Sequence, residues 1–152
     1  MKALFIDSDP VVRGVLHCMA TMAGLDHAIV SSAREALLIL RGQKIDARES
    51  WSVVEPSQDA DRIGVVATEI DLPDVDGMDL ATLIRREFPE TMIFAHTYAE
   101  SINGGERFDR VFFKPHAADA VVRAALGVLG TESEQSLFHQ MIPAQAVDTP
   151  AA

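Results

Sequence analysis

The chain has 152 residues, 48% of them hydrophobic and 24% charged, with 23 acidic against 13 basic side chains and a formal net charge of -10. This length and balance suit one well-cored globular domain, while the acidity and the lack of any Lys/Arg cluster disfavour binding to nucleic acid. The single cysteine, Cys18, excludes a disulfide framework. No apolar run approaches the ~18 residues of a membrane span, and the first one stops at Asp7, so a cytoplasmic protein with no membrane partner is expected.

Residues 3–6 (ALFI) read as a first buried strand. Asp9 then offers an N-cap and Pro10 a first helical residue, where a missing N–H costs nothing. Val12, Val15, Leu16, Met19 and Ala23 form one apolar stripe, and Gly24 can close the helix. On this helix Cys18 faces sideways, as a half-buried and inert thiol. Residues 28–30 read as a second strand, and Ser32 to Glu35 has the spacing of a capping box for a helix ending near Gly42.

Residues 43–61 break the alternation. They are polar, hold the only tryptophan, Trp51, and look like an insertion before the third strand, at 63–67. A helix over 77–88 is stopped by Pro89, and residues 92–95 and 111–113 read as the fourth and fifth strands. Between those two, the Gly-rich stretch 101–105 is a poor helix, so the fourth helix is expected to be short. A last helix spans 117–129, ahead of Gly130. The remainder, 131–152, reads as a tail in which Leu137, Phe138, Met141 and Ile142 can share one face over one or two helical turns, with the final ten residues disordered. Continuous apolar strands alternating with helices predict a doubly wound α/β fold on a five-stranded parallel sheet, occupying residues 1–130.

In such a sheet, functional groups gather beyond the carboxyl ends of the strands. Those positions hold Asp7, Ser8 and Asp9 after the first strand, Thr68 and Glu69 after the third, His96 and Thr97 after the fourth, and Lys114 and Pro115 after the fifth. Acids from two strands and a lysine from a third therefore share one rim. Such a cluster asks for a hard cation or for a basic side chain to neutralise it. His17, His27, His116 and His139 have no metal-ligand spacing with one another.

Three segments at these strand ends carry a resemblance. LFIDSDPVVR (4–13) resembles the first strand and acidic turn of response-regulator receiver domains. DLPDVDGMDL (71–80) is similar to the loop after their phosphoacceptor, and FFKP (112–115) to their lysine–proline pair. The resemblance covers residues 2 to about 129. It implies a flavodoxin-like receiver fold, a cis bond before Pro115, and phosphoryl transfer from a histidine kinase to an aspartate. Mg²⁺ would be held by that aspartate and the acidic turn. The lysine would contact the phosphoryl oxygens, and a Ser/Thr and an aromatic residue would report the charge.

The sequence departs from that pattern at several positions. The phosphoacceptor position is Glu69, one methylene longer than aspartate and ill suited to in-line transfer. Ser8 replaces the second acid of the turn, which leaves at most a weak Mg²⁺ site at Asp7 and Glu69 and no expected cofactor. The switch Ser/Thr falls on His96, with Thr97 pointing to the other face, and the switch aromatic falls on Val111. The expectation is therefore a pseudo-receiver: a signalling domain that is not an enzyme, is not phosphorylated on aspartate, and acts through a protein partner. Glu69 could mimic the phosphorylated state, but His96 and Val111 would give a mimic little to pull on. Two alternatives are a receiver phosphorylated on Asp7 or Asp71, and a haloacid-dehalogenase-type phosphatase using Asp7 and Asp9. Lys114 is expected to pair with Glu69 or Asp7.

Overall fold

The computed structural model describes residues 1–43, 62–130 and 132–142. The 43–61 insertion beyond Gln43, with Trp51, and the last ten residues lie outside them. Five strands, β1 (Lys2–Ile6), β2 (His27–Val30), β3 (Ile63–Thr68), β4 (Met92–Thr97) and β5 (Arg110–Phe113), form one sheet in the order β2-β1-β3-β4-β5. All pairings are parallel. This is the flavodoxin-type order, in which the crevice at the reversal of strand order lies between β1 and β3.

The helices follow their punctuation. In α1 (Pro10–Met22) the Asp9 carboxylate accepts from Val11 N at 2.8 Å, with Pro10 at the first turn. Helix α2 (Ala33–Leu40) starts on Ser32, whose hydroxyl accepts from Glu35 N at 3.3 Å. The capping box is offset by one residue, because the Glu35 carboxylate reaches back to Ser31 N rather than to Ser32 N. Asp74, from the loop after β3, accepts from Ala33 N and Arg34 N and so ties that loop to the start of α2. Helix α3 (Gly77–Glu87) is capped by Asp76, and α4 (Ala118–Leu129) ends at Gly130.

The two faces of the sheet bury separate cores. Phe5, Val65, Ala67 and Phe94 pack with Leu16 and Ala20 of α1 and Val121, Val122 and Ala125 of α4. On the other face, Leu4, Ile6, Val66, Ile93 and Ala95 pack with Ala33 and Ala36 of α2 and Leu80 and Ile84 of α3. Each large aliphatic side chain fully buried in this way contributes about 1.5–3 kcal/mol.

Three expectations need correction. Val15 is 40% exposed, because the buried stripe of α1 runs through Val12, Leu16, Met19, Ala20 and Ala23, and Cys18 is exposed rather than half-buried. The tail forms a full helix, α5 (Glu132–Met141), not one or two turns. Its Phe138 is 1% exposed and joins the α1–α4 core, whereas Leu137 and Met141 stay exposed.

As expected from its glycines, the β4–β5 connection holds only a 3-10 turn, Gly105–Arg107. Asp109 takes over the anchoring that a longer helix would provide. Its carboxylate accepts from Ile93 N at 2.7 Å and from Arg85 at 3.0 Å, which sets β5 against β4.

Gly77 fixes the start of α3. Its N–H donates to Ile70 O at 2.8 Å, and an added Cβ would lie 2.4 Å from Glu69 O and 2.7 Å from Ile70 Cα. Neither backbone atom can yield as a flexible side chain would. Gly77→Ala should therefore cost about 1–3 kcal/mol by overpacking, read as a lower urea midpoint at unchanged slope. A midpoint equal to wild type would mean that α3 shifts freely away from the Glu69 backbone.

Candidate functional site

The strand-end residues converge on the rim as the α/β topology requires. Lys114 N donates to Thr97 O at 2.7 Å, extending the β4–β5 pairing past Phe113, and the Lys114–Pro115 bond is cis. The Lys114 side chain, 2% exposed, lies between two carboxylates. Its Nζ donates to Asp7 Oδ2 at 2.5 Å and to Glu69 Oε2 at 2.6 Å. Tyr98 lies over the ammonium, with its ring centroid 4.9 Å from Nζ.

Glu69 does not reach forward into open space. Its Oε1 turns back to accept from Ile70 N at 2.5 Å and Asp71 N at 3.4 Å, and the Thr97 hydroxyl also hydrogen-bonds the carboxylate. Burial pushes the Glu69 pKa up, but the bonds from Lys114, Thr97 and Ile70 outweigh it and hold the group below the ordinary glutamate value. Asp7 has the opposite balance. Burial raises it above the usual carboxylate range, despite its bonds from Lys114 and Asp9 N. Burial lowers Lys114, yet its bonds to Asp7 and Glu69 prevail and raise it. The rim at neutral pH is thus an ammonium between two carboxylates.

The two acids that would hold a weakly bound Mg²⁺ are already engaged by Lys114. Ser8 is exposed and neutral, and the Asp9 carboxylate caps α1. Among the described residues no group of three or more His, Cys, Asp or Glu is arranged to hold a metal.

Thr97 departs from its expected position. Strand alternation does put His96 and Thr97 on opposite faces, but Thr97 is the last residue of β4, where the rim opens, and its buried hydroxyl reaches Glu69. Val111 is partly buried and packs against the α2–α3 core. Two rim residues escaped the sequence reading. Tyr98 directly follows His96-Thr97, and Arg13, one turn into α1, donates to the carbonyls of Asp7 and Ser8 at 2.8 Å each.

His96 is 3% exposed, and its Nε2 has no hydrogen-bond partner among the described residues. Burial first, then the nearby Lys114 charge, pushes its pKa down to about 4. The unfolded chain therefore takes up a proton that the native protein refuses. Stability should fall as pH drops from the ordinary histidine value toward about 4. In His96→Phe the upper part of this fall should disappear from urea midpoints measured across that range; an unchanged profile would show that His96 titrates normally in the native state.

No protein-family model matches the chain, and no curated protein matches it. Solved structures do. A response regulator receiver domain protein from Clostridium thermocellum superposes with a TM-score of 0.66 at 20% identity, over 84% of this chain and 93% of that one. The fold is that of a response-regulator receiver domain. The response regulator protein TrrA from Thermotoga maritima, solved in complex with Mg²⁺-BeF, gives a TM-score of 0.65 at 19% identity, over 85% of this chain and all of that one. The signal receiver domain of an HD domain-containing protein from Pseudomonas fluorescens gives 0.65 at 20% identity, over 89% of this chain and 97% of that one. Within this receiver fold Glu69 follows β3, Lys114 follows β5, and Asp7 follows β1. Among the described residues no helix is long and apolar enough to cross a membrane.

Proposed function

We propose that this chain is a receiver-like signalling domain of the two-component type whose anion site is filled by its own Glu69, so that it is held in one state and acts through protein contacts without phosphorylation on aspartate. The observation that carries this reading is the donor set around Glu69. The Lys114 ammonium, the Thr97 hydroxyl and the Ile70 N–H all converge on its carboxylate. These are the kinds of donor that would stabilise the oxygens of a transferred phosphoryl group, and here a side-chain carboxylate uses them. Mimicry of the charged state thereby gains the hydroxyl that the sequence reading had denied it.

The same geometry disfavours phosphorylation on Asp7 and a phosphatase using Asp7 and Asp9. Asp7 is committed to Lys114, which removes it as a free nucleophile, and Asp9 is committed to its helix cap, which leaves no second carboxylate for a phosphatase. We assign no enzymatic activity.

Beryllofluoride with Mg²⁺ tests the filled site. Fluorine NMR should show no protein-bound beryllofluoride at millimolar reagent. A bound signal in wild type would mean that the site opens to an anion and a metal, against this proposal.

A further inference from the structure

Outside the rim, folding brings together two histidines that stand ten residues apart in the sequence. His17 lies on the exposed side of α1 and His27 begins β2, and His17 Nδ1 is 3.0 Å from His27 Nε2. The other nitrogen of His27 fixes the tautomers. Its Nδ1 lies 2.7 Å from Leu25 O, and a carbonyl only accepts, so Nδ1 carries the proton. His27 Nε2 is therefore a lone pair aimed outward at His17, which must donate from Nδ1.

A ring nitrogen anchored to a backbone carbonyl, with the opposite nitrogen unprotonated and here facing a second imidazole, is the usual support of a metal-ligating histidine. Burial also lowers the His27 pKa, which keeps the ring neutral. His17 needs only to pass its proton from Nδ1 to its other nitrogen to present a second lone pair. A metal–imidazole bond of about 2.0–2.1 Å puts two ligand nitrogens roughly 3 Å apart, close to the separation already present.

We infer that His17 and His27 form a two-imidazole site for a borderline divalent transition-metal ion of the Zn²⁺, Ni²⁺ or Cu²⁺ class, with water completing the coordination. Imidazole donors select these ions over Mg²⁺, so the site is chemically distinct from the carboxylate rim. The nearby Asp26 adds negative potential without being a ligand. Bound metal would replace the His17–His27 hydrogen bond and clip the outer side of α1 to the edge strand β2.

The test is calorimetric titration of the full chain with ZnCl₂ and NiCl₂, paired with thermal melts. Wild type should bind one ion with an affinity near micromolar and melt higher with metal present. His17→Gln, on an exposed position that leaves the fold intact, should weaken binding at least about tenfold and abolish the thermal shift. His27→Gln should do the same, and Cys18→Ser should bind as wild type does. Absence of binding in wild type, equal affinity in His17→Gln, or loss of binding in Cys18→Ser would each overturn the assignment.

Discussion

Lys114→Ala should destabilise the protein by about 3–5 kcal/mol at neutral pH, because it leaves two buried carboxylates facing each other without their cation. In wild type Lys114 bonds both Asp7 and Glu69, and all three side chains are nearly inaccessible. The pH dependence carries the diagnostic sign. Glu69 has a lowered native pKa, so its stabilisation is present above its unfolded value and is lost as pH falls. Lys114 has a raised one, so its contribution holds below the ordinary lysine value and is lost as pH rises through the native value. Asp7, raised by burial, works against the native state at neutral pH and less so in acid. Without Lys114 both carboxylates prefer to be protonated, so the deficit of the variant should shrink on acidification. Urea midpoints of wild type and variant across the acid range measure this directly. A constant gap, or none, would mean that the pairing is energetically idle.

Phe138→Ala should cost roughly 2–3 kcal/mol, somewhat below the about 3–5 of a typical buried Phe→Ala change. The discount comes from Arg123. Its three guanidinium nitrogens are buried without hydrogen-bond partners among the described residues, its centre lies 5.1 Å from the Phe138 ring, and Asp119 forms an ion pair at 3.7 Å. Removing the ring costs the burial and a cation–π contact but lets water return to the guanidinium. Arg123→Met should then be near neutral, since relieving the buried charge is offset by leaving the partly exposed Asp119 carboxylate without its cation. Thermal melts of both variants decide between two roles for α5. Loss of stability in Phe138→Ala makes α5 part of the domain, and an unchanged melt leaves it a peripheral segment free to dock elsewhere.

The strand ends were legible in the sequence because each apolar run stops abruptly at a polar residue. The apolar runs alone therefore put Asp7, Glu69 and Lys114 on one rim. The poor helix before β5 was legible from its glycines. What the pattern missed depends on geometry at element ends and on long-range contacts. Period-two alternation sent Thr97 to the wrong face as a functional group, since the rule holds inside a strand and weakens where the chain leaves the pleat. Val15 and Cys18 were misjudged because a stripe on a short helix can rotate by one position without breaking its spacing. Asp109 looks like an ordinary loop acid until β4 and Arg85 are set beside it. The His17–His27 pair exists only because α1 turns back into β2.

The central claim is that Glu69 and Lys114 already fill the site at which a phosphoryl group would sit. Intact-protein mass spectrometry after incubation with millimolar acetyl phosphate and Mg²⁺ tests it most directly. The account predicts a single species at the unmodified mass, in wild type and in Ser8→Asp alike, because Lys114 still bridges Asp7 and Glu69 in both. A stable gain of one phosphoryl mass on wild type, mapped to Glu69, Asp7 or Asp71, would contradict it.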